Sequence, residues 1–124
     1  MSHWTKYTCK TDMKDASVFQ SALVHLRETY EGLQISEGVN FMWMIHQKTG
    51  ARVTLQKTPN GWIPFHDSDY RLTAEQVAIG QAIVDRLAVE YTSEGFRRAL
   101  AKHRYAHRVQ ESSGARVRML ARRS

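Results

Sequence analysis

The sequence predicts an α+β fold: a mixed, mostly antiparallel sheet of five or six strands with two helices packed on one face. Two hydrophobic periods occur along its 124 residues. Steps of three and four residues are typical of amphipathic helices, and a period of two is typical of strands. A chain of this length can bury one core without disulfides. We therefore expect residues 1–124 to form a single domain, with the last two or three residues as a free tail.

The first half of the chain predicts a strand, a helix and a central strand. Residues 2–9 carry aromatic and β-favouring side chains without a helical period, which indicates a strand. A helix of about four turns is expected from Asp15, and Gly32 ends it at a position that tolerates positive φ. Residues 39–47 alternate with a period of two. Both faces of this segment are apolar, so we expect it near the centre of the sheet.

Two further strands and a second helix follow. Residues 52–57 and 61–65 are predicted strands, and the sequence Pro59-Asn60-Gly61 between them favours a hairpin turn. Together with the central strand they form a three-stranded meander. Thr73 and Gln76 have the spacing of a capping box, and the apolar stripe after them predicts a helix to about His103.

The remaining residues are predicted to form a final hairpin. Ser112-Ser113-Gly114 is the expected turn, and Tyr105, Val109, Val117 and Met119 have the alternation of core-facing residues. The opposite face of this hairpin would present five arginines: Arg104, Arg108, Arg116, Arg118 and Arg122.

The positive charge is concentrated in this part of the chain. Residues 95–124 hold nine of the eighteen Lys and Arg residues and one acid, Glu111, whereas residues 1–94 hold nine basic and eleven acidic residues. Such asymmetry indicates a polyanionic or acidic partner. Guanidinium groups bind both phosphate and carboxylate, so nucleic acid and an acidic protein segment both remain open. The same charges would also protect an exposed sheet edge from aggregation.

The sequence contains no familiar catalytic motif. It has no glycine-rich phosphate loop, nucleophile elbow or dinucleotide fingerprint. His103 and His107 have a spacing that zinc sites use on helices, and residues 66–69 offer ligand types, but turn chemistry explains the latter. The single cysteine, Cys9, excludes an internal disulfide. We therefore predict a protein that is not an enzyme, holds no metal or cofactor and resides in the cytoplasm or an equivalent reducing compartment.

The tryptophans indicate a second candidate surface. Trp4, Trp43 and Trp62 fall on three predicted strands, and with neighbouring methionines they make the sheet more apolar than one helix layer can cover. These residues are either plain core or, around Trp43 and Met44, a patch that binds a protein partner.

Three stretches carry a resemblance to a known family. The opening Met-Ser-His-Trp-Thr-Lys, the helical stretch of residues 83–91 ending in Glu-Tyr, and the closing residues 113–123 are similar to those of the Ycf35-like family, uncharacterised small plastid and bacterial proteins. The genes of that family tend to lie near an AAA ATPase and a small ferredoxin-like protein. The resemblance thus implies an accessory or adaptor role and supplies no catalytic residue.

We accordingly expect a non-enzymatic accessory or adaptor protein that binds another protein, with an AAA ATPase as the candidate partner. The first alternative is a nucleic-acid-binding protein that uses the arginine face, and a third, weaker class is a small enzyme or metal carrier around His66 or His103. No stretch of eighteen uncharged apolar residues occurs, so a membrane partner is not expected.

Overall fold

The computed structural model describes residues 4–67 and 71–123, with side chains described as far as Arg108. It confirms the α+β class. All strand pairs within the described residues are antiparallel, in the order β1-β5-β4-β3-β2. The elements are β1 (Trp4–Lys6), α1 (Ala16–Thr29), β2 (Leu33–Glu37), β3 (Phe41–His46), β4 (Ala51–Thr58), β5 (Gly61–Asp67) and α2 (Ala74–Arg123).

The predicted helix starts and the meander are confirmed. Asp15 caps α1 by accepting hydrogen bonds from the backbone N–H groups of Ser17 and Val18. The capping box before α2 is reciprocal: the Thr73 N–H donates to Gln76 Oε1 over 2.9 Å, and the Gln76 N–H donates to Thr73 Oγ1 over 3.1 Å. These side chains satisfy N–H groups that the first turn of a helix leaves unpaired.

The final hairpin was a wrong prediction. Residues 104–122 belong to α2, whose backbone is helical from Ala74 to Arg123. The segment contains five Arg and three Ala residues, which are strong helix formers, and no proline occurs after Pro64. The alternation of arginines with apolar residues therefore does not reflect a strand, and the predicted sheet face with five guanidinium groups does not exist.

Two strands depart most from the sequence prediction. Among its described residues, the predicted strand of residues 2–9 forms ladder pairs only at Trp4–Lys6, although the Tyr7 N–H still donates to the Pro64 carbonyl. Edge strand β2 was missed because Leu33 and Ile35 are its only apolar residues, too few to show a period.

The chain divides into two compact units, Met1–Glu94 and Gly95–Ser124, and the boundary between them falls within α2. They are called the N-terminal and C-terminal units below. The prediction that residues 1–124 are one domain stays a prediction. The predicted free tail includes Ser124, which lies outside the described residues.

Both helices of the N-terminal unit pack on one face of the sheet. Strand register places Met42 beside Leu55 and Met44 beside Val53, and all four side chains are buried. They pack in one cluster with apolar residues of α1 and α2: Phe19, Ala22, Leu23, Leu26, Ile83, Val84 and Leu87. No helix within the described residues has the length and apolar character needed to cross a membrane.

Tyr7 fixes α2 against the sheet. Its ring is buried, its hydroxyl donates to the Arg52 carbonyl over 3.1 Å, and the hydroxyl also lies against Gly80 of α2. Only a residue without a Cβ leaves room for this contact. Burial raises the pKa of Tyr7 to about 12, because the phenolate form loses its solvation.

We expect Gly80→Ala to destabilise the fold. At an ordinary helix position this change stabilises by about 1 kcal/mol, but here the added Cβ overlaps the Tyr7 hydroxyl, and overpacking costs about 1–3 kcal/mol. Urea unfolding measures the change. In a Tyr7→Phe background the cost should shrink, because the obstructing oxygen is gone. An alanine variant as stable as the wild type would contradict the packing of α2 on Tyr7.

Alkaline pH should weaken the fold through Tyr7. Its folded pKa of about 12 exceeds the unfolded value of about 10, so the folded chain holds the proton more tightly. This contribution to stability is complete below pH 10 and is lost as the pH rises through about 12. The free energy of unfolding, measured from pH 8 to 12, should therefore fall less steeply for Tyr7→Phe than for the wild type. Parallel curves would refute the assignment.

Candidate functional site

The face of the sheet opposite the helices carries a row of side chains that crosses all five strands. Register pairs Ser36 with Trp43, Trp43 with Thr54, Thr54 with Phe65, and Phe65 with Lys6. Residues paired in antiparallel strands point to the same side of a sheet. These five side chains therefore share one face, and Met42 and Met44 lie on the other.

Four aromatic rings on this face form a connected cluster, which we call the aromatic face: Trp4, Phe41, Trp43 and Phe65. The Trp4 ring centroid lies 5.6 Å from that of Phe65 at 77° and 5.7 Å from that of Phe41 at 50°. Phe41 and Trp43 are 6.1 Å apart at 25°. These separations are within the range of favourable aromatic pairs.

The contact between Trp4 and Phe41 shows that the face is concave. Trp4 lies on β1 and Phe41 on β3, and β5 and β4 lie between these two strands. In a flat sheet β1 and β3 would therefore be about 14 Å apart. A twisted, curved sheet brings the two rings together. The Trp4 ring contacts Phe65, and Phe65 and Thr54 are both buried, although the described helix residues of the N-terminal unit that join the core lie on the other face. Trp4 and Trp43 themselves remain 38% and 40% exposed.

A groove lies beside Trp43. Its volume is about 250 Å³, and its lining includes Ser36, Trp43, Ile45, Arg52 and Thr54. Sites for small-molecule ligands and cofactors usually measure about 300–1,000 Å³. The groove suits one large apolar side chain of a partner better than a cofactor.

Gly38 holds the Trp43 ring at the edge of this groove. A Cβ on Gly38 would lie 3.2 Å from the Trp43 ring and 3.0 Å from the Phe41 carbonyl oxygen. The Gly38 N–H donates to that same carbonyl over 2.7 Å and closes the turn between β2 and β3. The absence of a side chain at Gly38 therefore lets the indole lie flat over the turn.

The two residues of the predicted partner patch lie on opposite faces. Trp43 belongs to the exposed aromatic face, as a partner site needs, whereas Met44 is 1% exposed and packs under the helices. Neighbouring residues of a strand alternate between faces, so the two cannot form one patch. The sequence interpretation did not join Trp4 and Phe65 to Trp43, since they lie on β1 and β5 and not on β3.

The predicted arginine site lies on α2 instead of a hairpin. Arg104 and Arg108 are exposed and stand one helical turn apart. Arg116, Arg118 and Arg122 are also helical in backbone, but their side chains lie outside the described residues.

The other residues that the sequence offered as metal ligands or nucleophiles do not form a cluster within the described part of the chain. The described residues contain no group of three or more His, Cys, Asp or Glu side chains arranged to hold a metal ion. The His66 ring packs against the Tyr7 ring at 5.1 Å, and Ser68 and Asp69 lie outside the described residues. The Cys9 thiol donates to the Thr11 carbonyl over 3.5 Å. His103 and His107 lie on the exposed helix of the C-terminal unit.

Comparison with protein-family models, curated proteins and solved structures gave no match. The resemblance to the Ycf35-like family therefore stays a prediction.

Substituting Met44 and Trp43 separately tests their placement on opposite faces. Met44→Ala should cost about 2–5 kcal/mol of unfolding free energy, because it leaves a cavity in the core. Trp43→Ala should cost about 1–2 kcal/mol, since it removes a partly exposed ring and its aromatic contact. Urea unfolding at neutral pH measures both. Equal costs, or a larger cost at Trp43, would contradict the assignment of faces.

Proposed function

We propose that this chain is a non-enzymatic accessory protein that binds another protein through the aromatic face. The observation that carries the proposal is the exposure of Trp4 and Trp43, 38% and 40%, on a concave sheet face. Trp4 and Trp43 each contact the ring of Phe41. Exposed tryptophans of this kind are typical of the residues that dominate the binding energy at protein interfaces.

The chemistry of the face favours a protein over a nucleic acid. Residues 1–94 carry nine basic and eleven acidic side chains, so the N-terminal unit as a whole does not attract a phosphate backbone. Lys6 and Arg52 lie on the aromatic face by register, beside the rings and the groove. The fitting partner therefore presents an apolar side chain for the groove, and because Asp67 shares this face with Lys6 and Arg52, no single sign of charge is required around that side chain.

The identity of the partner rests on the family resemblance. That resemblance implies an AAA ATPase, and an accessory protein that docks on such an enzyme needs a binding surface and no reaction of its own. The proposal has two separable parts: protein binding at the aromatic face, and an ATPase as the protein bound.

A double variant of the exposed tryptophans tests the first part. Tagged wild-type protein and Trp4→Ser/Trp43→Ser are used to capture proteins from native lysate with and without nuclease treatment, and the captured protein is then purified and its Kd measured. Loss of one interface hot spot costs about 2 kcal/mol or more, which is about thirtyfold in Kd. We expect the double variant to bind at least thirtyfold more weakly.

The matched control is Val24→Ser/Val89→Ser. These two valines are exposed apolar residues of α1 and α2 in the same unit, so their loss changes surface hydrophobicity without touching the aromatic face. This control should bind like the wild type. Unchanged affinity of the tryptophan variant, or a partner that disappears with nuclease, would refute the first part. If the purified partner does not hydrolyse ATP, only the second part fails.

A further inference from the structure

Strand β2 is an edge of the sheet, and its outer side is open. Within the described residues it pairs only with β3, and the side chains of Gln34, Ser36 and Glu37 are exposed. An edge strand presents a row of backbone N–H and C=O groups that can pair with a further strand. The opposite edge, β1, has three described residues, so β2 with five offers the longer row.

Two hydrogen bonds show which backbone groups of β2 face β3. The Gly38 N–H donates to the Phe41 carbonyl over 2.7 Å at one end of the ladder, and the Gln47 N–H donates to the Gly32 carbonyl over 3.1 Å at the other. Hydrogen-bonded pairs recur at every second residue of an antiparallel ladder. The even-numbered residues of β2 are therefore the ones that bond to β3.

The odd-numbered residues of β2 direct their backbone groups away from the sheet. These residues are Leu33, Ile35 and Glu37. The Leu33 N–H is already used, because it donates to the Tyr30 carbonyl over 3.2 Å. The N–H groups of Ile35 and Glu37 and the C=O groups of all three residues thus face outward, without a hydrogen bond to another described residue.

This set of outward groups is complementary to itself about a two-fold axis at Ile35. When two copies of β2 lie antiparallel with Ile35 opposite its copy, each Ile35 N–H reaches the other Ile35 carbonyl. Each Glu37 N–H then reaches the Leu33 carbonyl of the other copy. The pairing uses every free donor of the edge, and the N–H that it leaves out already has its acceptor. A self-complementary patch of this kind is what a two-fold homodimer requires.

The side chains of the two copies are compatible in this register. The partly buried Ile35 meets its copy on the side of the sheet that the helices cover, and uncharged Ser36 lies opposite uncharged Gln34. Glu37, the one charged residue of β2, lies opposite Leu33 and about 14 Å along the strand from its copy. Edge strands that avoid pairing usually carry lysine or proline, and β2 has neither.

We propose that two copies of this chain pair antiparallel through β2 and join their five-stranded sheets into one. The second copy then contributes to the groove beside Trp43. Ser36 lines that groove, and Gln34 of the second copy lies opposite Ser36, in a pair without hydrogen bonds, where side chains approach most closely. Gln34 of the second copy closes the groove on its β2 side. The dimer does not depend on the protein-binding function proposed for the aromatic face.

Sedimentation velocity of the purified full-length chain tests the dimer. Concentrations from about 1 μM to about 500 μM cover the dissociation constants of weak dimers, and the wild type should shift from monomer to dimer across this range. Glu37→Pro removes an outward N–H and leaves the ladder with β3 intact. Two of the four intermolecular hydrogen bonds are then lost, which should weaken dimerisation by about tenfold or more. The control Glu37→Gln keeps the N–H and should dimerise like the wild type.

A second comparison separates this edge from the aromatic face. Trp4→Ser/Trp43→Ser alters the face of the sheet and not the backbone of β2, so it should still dimerise. A wild type that stays monomeric at every concentration overturns the proposal and leaves the edge to a strand of another protein. A folded Glu37→Pro variant that dimerises like the wild type also overturns it, as does a dimer that only the tryptophan variant abolishes.

Disulfide cross-linking tests the register without a proline. The background is Cys9→Ser, which removes the native thiol, and the oxidant is oxidised glutathione. Ile35→Cys should give a covalent dimer, because Cα atoms of a hydrogen-bonded antiparallel pair lie about 5.5 Å apart, within the span of a disulfide. Glu37→Cys should not, since its copy lies about 14 Å away. Absence of the Ile35→Cys dimer, or equally fast cross-linking of Glu37→Cys, would overturn the register.

Discussion

The register between β3 and β4 sets which side chains the helices cover. It pairs Met42 with Leu55 and Met44 with Val53, and these four buried side chains form the surface on which α1 and the first part of α2 pack. Because side chains alternate along a strand, Trp43 and the other rings of the aromatic face must then lie on the opposite face of the sheet. A shift of one residue would bury Trp43 and expose both methionines, so the core and the candidate binding site are fixed by the same pairing.

The helices of the N-terminal unit cover one face of the sheet. On the second face the side chains of the strands pack against one another. Curvature brings Trp4 over Phe65 and against Phe41, and Phe65 and Thr54 on this face are buried. Trp4, Phe41 and Trp43 remain partly exposed, and Trp43 lines the groove. The aromatic face is therefore both a small core and a surface whose burial by a partner would release free energy, which is why a binding function suits it better than catalysis.

Local signals predicted much of this fold, and long-range packing decided the rest. The Asp15 cap, the capping box at Thr73 and the turn at Gly61 each depend on neighbouring residues, and each is found as expected. Strand β2 has too few apolar residues to show its period. In residues 104–122 the alternation of arginines predicts a strand, but the backbone is helical, because five Arg and three Ala residues favour a helix. Which face of β3 the helices would cover could not be predicted, since both faces are apolar.

Oxidative footprinting read by mass spectrometry most directly tests the claim that the aromatic face is the open side of the sheet. Methionine side chains oxidise readily when solvent reaches them, so burial must account for any protection of Met42 and Met44. The account predicts that Trp4 and Trp43 are modified several times faster than these two methionines in the folded protein, and that unfolding in urea removes the protection. Oxidation of Met44 at the rate of Trp43 in the folded protein would show that the faces are assigned the wrong way round.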